Sequence, residues 1–298
     1  MCGIVGLLPR KKSLRASLGE LMLPMLGCMA DRGTDSAGLA VFSEANGTPG
    51  RRINLYSPSR TQDWKALAKM IGDAVGSKVS VRAVENHAIL TTAGDPEKVR
   101  EWLAKHIPSV RVLSVGHSID VYKDIGHPKE IALRYGFERL TGTHCVAHTR
   151  MATESAVTPA HSHPFTAGED FCLVHNGSLS NPYSLRRKLE KRGVRFETDN
   201  DSEAACRFFE WRMREGATLE GAIRDGLKAL DGFYTLLMAT QDRMVLVRDA
   251  FACKPAVVAE HKDYVAVSSE FRSLAQLPDV RNAKVFEPQP EEIYSWPV

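Results

Sequence analysis

The sequence has six cysteines and no Cys-x-x-Cys pair. That spacing is typical of zinc ribbons and many iron–sulfur sites, and dense cysteines mark disulfide scaffolds, so all three classes are disfavoured. Only Cys2, at the start of the chain, has a context that favours reactivity. The other cysteines are expected to be buried, unreactive thiols: Cys28, Cys145, Cys172, Cys206 and Cys253.

Long blocks of like charge and long apolar runs are also absent. The 298 residues carry 39 basic and 36 acidic side chains, a formal net charge of +3, spread along the chain. Such a chain has no electrostatic footprint for nucleic acid. No apolar run approaches the roughly 20 residues that span a bilayer, and the basic cluster follows the short apolar start, unlike in a secretory signal. We therefore expect a cytoplasmic protein with no nucleic-acid or membrane partner.

The first residues suggest a nucleophile that carries its own base. Removal of Met1, which a small second residue generally permits, would leave a thiol and a free α-amine on Cys2. A cysteine thiol titrates near ~8.5 and an α-amine near ~7.7 to 8.0, so part of the amine could accept the thiol proton at neutral pH. The apolar run 3–8 predicts a buried strand that holds Cys2 in place. The alternative is an ordinary terminal strand with an inert cysteine.

Apolar periodicity and turn residues predict mixed helix and sheet. Two sheets flanked by helices would accommodate the order of elements, which gives a layered α+β domain. Helices are expected at 18–29, 62–72, 96–106, 204–214 and 219–230, and another after Asn181-Pro182. Strands are expected at 3–8, 39–43, 79–84, 88–92, 110–115, 144–148 and 171–174, with further short strands beyond 233.

Two polar segments leave alternatives open. The loop Ala30–Gly38 is either a simple helix-to-strand connection or a pocket wall where the backbone at Gly33 approaches a ligand. His161 and His163 could bind a metal ion, but no third ligand lies at a matching spacing, so the metal site is the weaker interpretation. The segment from about 51 to 141 predicts a compact α/β unit without a catalytic cluster, which we interpret as an insertion.

Several short motifs occur together in a set order. They are Cys2-Gly3-Ile4-Val5-Gly6, Arg32-Gly33-x-Asp35-Ser36-Ala37-Gly38, His148-Thr149-Arg150-x-Ala152-Thr153, His163-Pro164, His175-Asn176-Gly177 and Asp201-Ser202-Glu203. In this ordered set the chain resembles the class II glutamine amidotransferases, which are N-terminal-nucleophile hydrolases. The resemblance covers roughly residues 2–43 and 143–296. It implies a four-layer αββα sandwich: one amidotransferase domain over 1–298 with the small α/β unit inserted at about 51–141.

The resemblance also implies the chemistry of the site. Cys2 would attack the side-chain amide of glutamine, and Asn176 and Gly177 would stabilise the oxyanion. The pocket would hold the α-carboxylate with Arg150 and the α-ammonium with Asp201. The remaining positions expected to bind substrate are Gly33, Met151, Thr153 and Glu154, and no metal or cofactor is expected on this chain.

Met151 and Glu154 depart from the family pattern. Many relatives have an aromatic residue at the first position, and the sugar-synthase branch has histidine at the second. These two residues would make the pocket wall more flexible and more acidic. A γ-glutamyl alkylamide such as γ-glutamylmethylamide is therefore an alternative substrate to glutamine.

The resemblance is greatest to the glutaminase-like subunits of glutamate synthase and N-methylglutamate synthase systems. It implies a subunit that supplies ammonia to a separate synthase partner, which could carry flavin and iron–sulfur groups. Three further functions stay open: a γ-glutamylmethylamide-processing subunit, a non-catalytic glutamine-binding subunit, and an amidase that acts alone.

Overall fold

A computed structural model describes residues 2–44, 50–152 and 156–298. Within these ranges the predicted mixture of helix and sheet is confirmed. The strands are β1 Gly3–Pro9, β2 Ser36–Phe42, β3 Arg51–Tyr56, β4 Val79–Val84, β5 His87–Thr92, β6 Arg111–Gly116, β7 Ile119–Ile125, β8 His144–Arg150, β9 Phe165–Thr166, β10 Phe171–Leu179, β11 Gly232–Thr240, β12 Arg243–Arg248, β13 Val257–Glu260, β14 Tyr264–Ser268, β15 Lys284–Phe286 and β16 Tyr294–Pro297.

Some of the helices begin after a polar residue that caps them, whereas Asn181, expected to cap α5, makes no side-chain cap hydrogen bond. Asp63 accepts hydrogen bonds from two backbone N–H groups of α2, and Asp95 does the same for one N–H of α3, which has Pro96 in its first turn. No described helix has the length and apolar character needed to cross a membrane. The helices are α1 Leu18–Met29, α2 Trp64–Val75, α3 Pro96–His106, α4 Pro128–Arg134, α5 Pro182–Glu190, α6 Asp201–Arg214, α7 Leu219–Ala229 and α8 Phe271–Leu274.

The strand that follows Cys2 lies inside a seven-stranded sheet of order β15-β13-β14-β1-β8-β2-β7. β1 pairs antiparallel with β14 on one side and with β8 on the other, so that Gly3 lies opposite Thr149. All seven residues of β1 are buried. The chain start is therefore tied into the sheet, which holds Cys2 at a defined strand end.

A second sheet has the order β16-β12-β11-β10-β9 and carries the His175-Asn176-Gly177 motif on β10. The two faces of each sheet enter different cores, because side chains alternate along a strand. From β1, Val5 packs with residues of α1, whereas Ile4 shares a core with Val174 of β10. From β10, Leu173 packs on the other side with residues of α5, α6 and α7.

A smaller sheet of order β4-β5-β3-β6 forms its own core with α2 and α3. This unit covers 51–116, which is shorter than the predicted insertion at 51–141. The remaining part belongs to the main body: β7 pairs along its length with β2, and Ile131 of α4 packs in the same core as α1. The predicted elements included no strand at 119–125 and no helix at 128–134, so they gave no sign that this part pairs with β2.

Candidate active site

Arg32 fixes the backbone of Cys2 at the end of β1. Its Nε donates to the Cys2 carbonyl oxygen at 3.0 Å, and one of its terminal nitrogens lies 2.8 Å from Glu270 Oε1. Two residues further along the chain, the Ile4 N–H donates to Ser269 Oγ at 2.9 Å, which also holds the start of β1. Sequence reasoning had not given Arg32 a role of its own. Its only signal was its place in the motif before Gly33.

Cys2 is partly buried. Its Sγ lies 3.9 Å from the carbonyl oxygen of Met151. Burial raises the pKa of the thiol, since a thiolate loses its hydration there, and the positive charges of Arg150 and Arg32 act against that rise. The thiol is consequently mostly protonated at neutral pH, and a reaction through sulfur needs a nearby base.

Asn176 and Gly177 lie on β10 opposite Thr235 and Tyr234 of β11. Asn176 is 4% exposed, and within the described ranges its Nδ2 has no hydrogen-bond partner. Gly177 has a φ of 148°, and a Cβ there would lie 1.9 Å from the Phe233 carbonyl oxygen, so only glycine fits. A buried amide donor without an acceptor costs free energy unless a ligand or water satisfies it.

A cavity of about 170 Å³ opens beside Cys2. It brings together five residues that the sequence had assigned to the site: Cys2, Arg150, Met151, Gly177 and Asp201. Thr153 and Glu154 lie outside the described residues. The remaining described lining residues are His163, His175, Ser178, Leu179, Pro182, Tyr183, Asp199, Asn200 and Ser202.

Gly33 lies against the backbone that forms the cavity wall. It does not belong to the described lining of the cavity, and a Cβ at this position would lie 2.5 Å from the carbonyl carbon of Arg150. The glycine therefore lets the Ala30–Gly38 loop pack against the backbone of β8. Gly33 thus packs on the backbone of Arg150, which lines the cavity, and its expected role in substrate binding stays a prediction.

Asp35 joins the same loop to the end of β8. Its backbone N–H donates to the Arg150 carbonyl at 3.0 Å, and its Oδ2 accepts from the Ala152 N–H at 2.8 Å. Arg150 itself is 4% exposed, and its NH1 donates to the Ala156 carbonyl at 3.0 Å. The motif that contains Asp35 and the motif that contains Arg150 lie more than a hundred residues apart in the chain. They occur together for a physical reason, because the first supports the backbone of the second.

Asp201 is the first residue of α6, and the cap of that helix is Asn200. Asn200 Oδ1 accepts from the Ser202 N–H at 2.8 Å. Asp201 instead accepts from the Leu179 N–H at 2.9 Å, which ties α6 to the end of β10. Its carboxylate is therefore held at the cavity by the β10 backbone.

Three histidines to which the sequence assigned no catalytic or substrate-binding role pack together beside the cavity. The ring centroids of His148 and His163 are 4.0 Å apart, and those of His163 and His175 are 6.4 Å apart. Burial lowers the pKa of all three, to about 3 for His148, so the rings are neutral at physiological pH. Among the described residues no group of three or more His, Cys, Asp or Glu side chains is placed to hold a metal ion.

Comparison with known proteins agrees with this arrangement. A glutamine amidotransferase domain family matches residues 148–276. The glutamine amidotransferase-like protein GlxB of Rhizobium meliloti is 43% identical over 299 residues, which cover 99% of this chain and 98% of that protein. The chain belongs to the class II glutamine amidotransferases. A Methanothermobacter thermautotrophicus relative, provisionally named a glutamine amidotransferase, is 32% identical over 99% of both chains.

The fold of this amidotransferase is shared with solved structures of more distant sequence. The Bacillus subtilis glutamine phosphoribosylpyrophosphate amidotransferase, complexed with ADP and GMP, aligns with a TM-score of 0.62 at 19% identity. The alignment covers 99% of this chain and 47% of the other. The structure described as the allosteric regulatory enzyme of purine biosynthesis gives a TM-score of 0.60, with 46% of that chain covered. The chain therefore spans about half the length of these two proteins.

Proposed function

We propose that this amidotransferase hydrolyses the side-chain amide of glutamine through a γ-glutamyl thioester on Cys2. The observation that carries the proposal is the cavity that Cys2, Arg150, Gly177 and Asp201 line together. Arg150 would bind the α-carboxylate and Asp201 the α-ammonium, which places the side-chain amide of glutamine toward Cys2. Within the family fold, the cores on both faces of both large sheets support the four-layer αββα arrangement.

The proposed reaction has two steps. Sγ of Cys2 bonds to the amide carbon while the thiol proton passes to the α-amine of Cys2 and on to the nitrogen, and the carbon–nitrogen bond breaks to release ammonia. Water then cleaves the carbon–sulfur bond, which yields glutamate and restores the thiol. Nδ2 of Asn176 and the backbone N–H of Gly177 would donate to the oxyanion in both steps.

The test is whether activity depends on a free amine at Cys2. An amide nitrogen is not basic, so a preparation that retains Met1 should hydrolyse glutamine far more slowly than one that starts at Cys2. Intact mass identifies the two forms, and a glutamine-analogue electrophile should add one adduct to the active form. Equal rates in the two preparations would rule out the proposed base.

A second substrate is favoured by one observation. Met151 lines the cavity and is 41% exposed, so the wall near Cys2 is a flexible apolar side chain. An extra methyl on the amide nitrogen is worth only about 1 to 3 kcal/mol in such a wall. We propose γ-glutamylmethylamide as an alternative substrate, to be compared with glutamine by kcat/KM in the parent and in Met151→Trp. Strong rejection by both would exclude it.

We further propose that the ammonia goes to a separate synthase-like subunit, related to glutamate synthase or N-methylglutamate synthase, which could carry flavin and iron–sulfur groups. The unit at 51–116 supports a docking role, because it has its own core and contributes no described residue to the cavity lining. The alternative is that the unit at 51–116 has a structural role only and enlarges the main domain. A non-catalytic glutamine-binding subunit and an amidase acting alone are the competing functions, and the intact site residues favour an enzyme.

A further inference from the structure

Lys123 is a buried cation on β7 that forms hydrogen bonds with a short segment of the cavity wall, Ser162–Pro164. Its side chain is 5% exposed. Its Nζ donates to the carbonyl oxygens of Ser162, at 2.8 Å, and Pro164, at 3.1 Å. These carbonyls stand on either side of His163. The ammonium also lies 5.0 Å from the centre of the Phe165 ring, a distance at which a cation is attracted to the ring.

Such a lysine requires compensation for its burial. Loss of hydration lowers the pKa of Lys123 to about 8, although the carboxylates of Glu197 and Glu203 act in the opposite direction. The ammonium therefore stays largely protonated at neutral pH and uses its donors on backbone carbonyls. Hydrogen bonds from a charged donor are stronger than those between neutral groups, so the bonds from Lys123 hold the segment Ser162–Pro164 in place.

The gripped segment places the His163 ring at the cavity. The ring packs between His148, with centroids 4.0 Å apart, and Phe165, with centroids 4.9 Å apart and the planes nearly perpendicular. Neither ring nitrogen of His163 has a hydrogen-bond partner in the described ranges. The ring is thus positioned by packing and by its backbone, and both of its nitrogens are buried.

Gly38 makes the close packing of this segment possible. A Cβ at Gly38 would lie 2.2 Å from the His163 carbonyl oxygen and 2.6 Å from Cβ of Lys123. At position 38, therefore, no side chain of β2 separates the segment Ser162–Pro164 from Lys123 on β7. The same lysine also contacts the small sheet, since its backbone N–H donates to Nε2 of His87 at 3.3 Å.

We propose that Lys123 is a positioning residue for the reaction, which holds Ser162–Pro164 so that His163 forms the inner wall of the cavity against the substrate. The kinetic part of this role rests on the proposed hydrolysis of glutamine. The packing of His163 does not depend on that function, so the two can be tested separately.

The kinetic test is a double-mutant cycle between Lys123→Met and His163→Ala. Lys123→Met keeps the length of the side chain and removes the charge and the donors. We expect it to lower kcat/KM for glutamine about tenfold in the parent and less than twofold when His163→Ala is already present. Lys123→Arg, which keeps a cation with donors, should recover part of the loss. Equal losses in both backgrounds, or no loss at all, would overturn the proposal.

A spectroscopic test accompanies it. The imidazole NMR signals of His163, assigned by their absence in His163→Ala, should shift or broaden in Lys123→Met while those of His144 stay in place. If the parent does not hydrolyse glutamine but this change occurs, positioning stands and the proposed function fails. Unchanged His163 signals overturn the positioning role whatever the activity.

Two further variants control for effects on folding: a matched substitution elsewhere and a milder substitution of Lys123. Arg52 also donates to the main body, to Ser43 Oγ at 2.7 Å, and does not line the cavity. Arg52→Met should leave kcat/KM within twofold of the parent. If Lys123→Met does not fold, the cycle is run with Lys123→Gln, which keeps a donor at shorter reach, and the same coupling with His163→Ala is required.

Discussion

Asn176 carries one of the buried polar atoms that ordinary packing would pair with a partner. Its amide nitrogen is buried, and no acceptor for it exists among the described residues. Native proteins rarely leave such a donor unpaired, and functional sites are a common reason. The neighbouring Gly177 keeps a φ of 148° that other residues seldom adopt. The unpaired amide of Asn176 and the backbone conformation of Gly177 are what a preorganised oxyanion site requires.

Asn176→Ala should lower kcat for glutamine hydrolysis about 10² to 10³-fold with little change in KM. The contact strengthens only as charge develops on the oxygen, so its loss raises the barrier by about 2.7 to 4 kcal/mol. Steady-state ammonia release measures both constants. Should kcat stay at the parent value, the oxyanion assignment is wrong.

The pH dependence of Cys2 alkylation follows from its burial. The pKa of the thiol is raised, because the buried thiolate is disfavoured. In a preparation that retains Met1, the rate of iodoacetamide addition at Cys2 should therefore rise with pH through a midpoint above that of a free cysteine. Peptide mass spectrometry separates Cys2 from Cys28, which is partly exposed, and from Cys253, which is exposed; both were expected to be buried, and that prediction was wrong. A midpoint below that of free cysteine would contradict the burial argument.

At the scale of elements, the site is built by strands that approach each other without intervening side chains. Gly33 lies against the backbone of β8, and Gly38 lies against the segment that carries His163. Both glycines belong to one motif, and each contact crosses more than a hundred residues of chain. The motif thus supports the cavity wall from behind.

Gly33→Ala should destabilise the protein by about 1 to 3 kcal/mol and weaken glutamine binding, because the new Cβ would overlap the Arg150 backbone. Gly27→Ala is the matched control. Within the described ranges no heavy atom outside the local backbone lies within 4 Å of a Cβ at Gly27, so alanine in α1 should stabilise by about 0.5 to 1 kcal/mol. Chemical denaturation measures both; similar effects from the two variants would refute the close-approach argument.

At the scale of the whole molecule, the small sheet unit at 51–116 contacts the main body near the cavity wall through His87 and Lys123. A partner bound to that unit would therefore act on an element that carries Lys123. Gating by a partner is common where free release of a reactive product is wasteful.

Glutaminase activity should be low in the isolated chain and rise when a synthase-like partner binds. Co-expression with neighbouring synthase-like subunits, size-exclusion chromatography and an ammonia assay measure binding and activation together. Deletion of 51–116 is unsuitable because β3 to β6 lie between β2 and β7, so surface charge reversals such as Lys69→Glu should replace it. A chain that stays monomeric and is fully active alone would support the independent amidase.

The sequence by itself predicted much of the secondary structure, though not β7 or α4, and several of the residues that line the cavity. Helix 18–29, the capped helix from Pro96 and strand 79–84 match their predicted bounds because local periodicity and caps decide them. Cys2, Arg150, Gly177 and Asp201 could be named in advance because their motifs occur in order. The roles of Thr153 and Glu154 stay predictions.

Only the tertiary structure decided what supports those residues. That Arg32 holds Cys2, that Asp35 holds Ala152 and that Lys123 holds the segment of His163 depends on the pairing of β1, β8, β2 and β7. The same pairing places β7, which lies within the predicted segment 51–141, beside β2 in the large sheet. Strand neighbours far apart in the chain are chosen by packing of whole sheets, and no local pattern of residues encodes that choice.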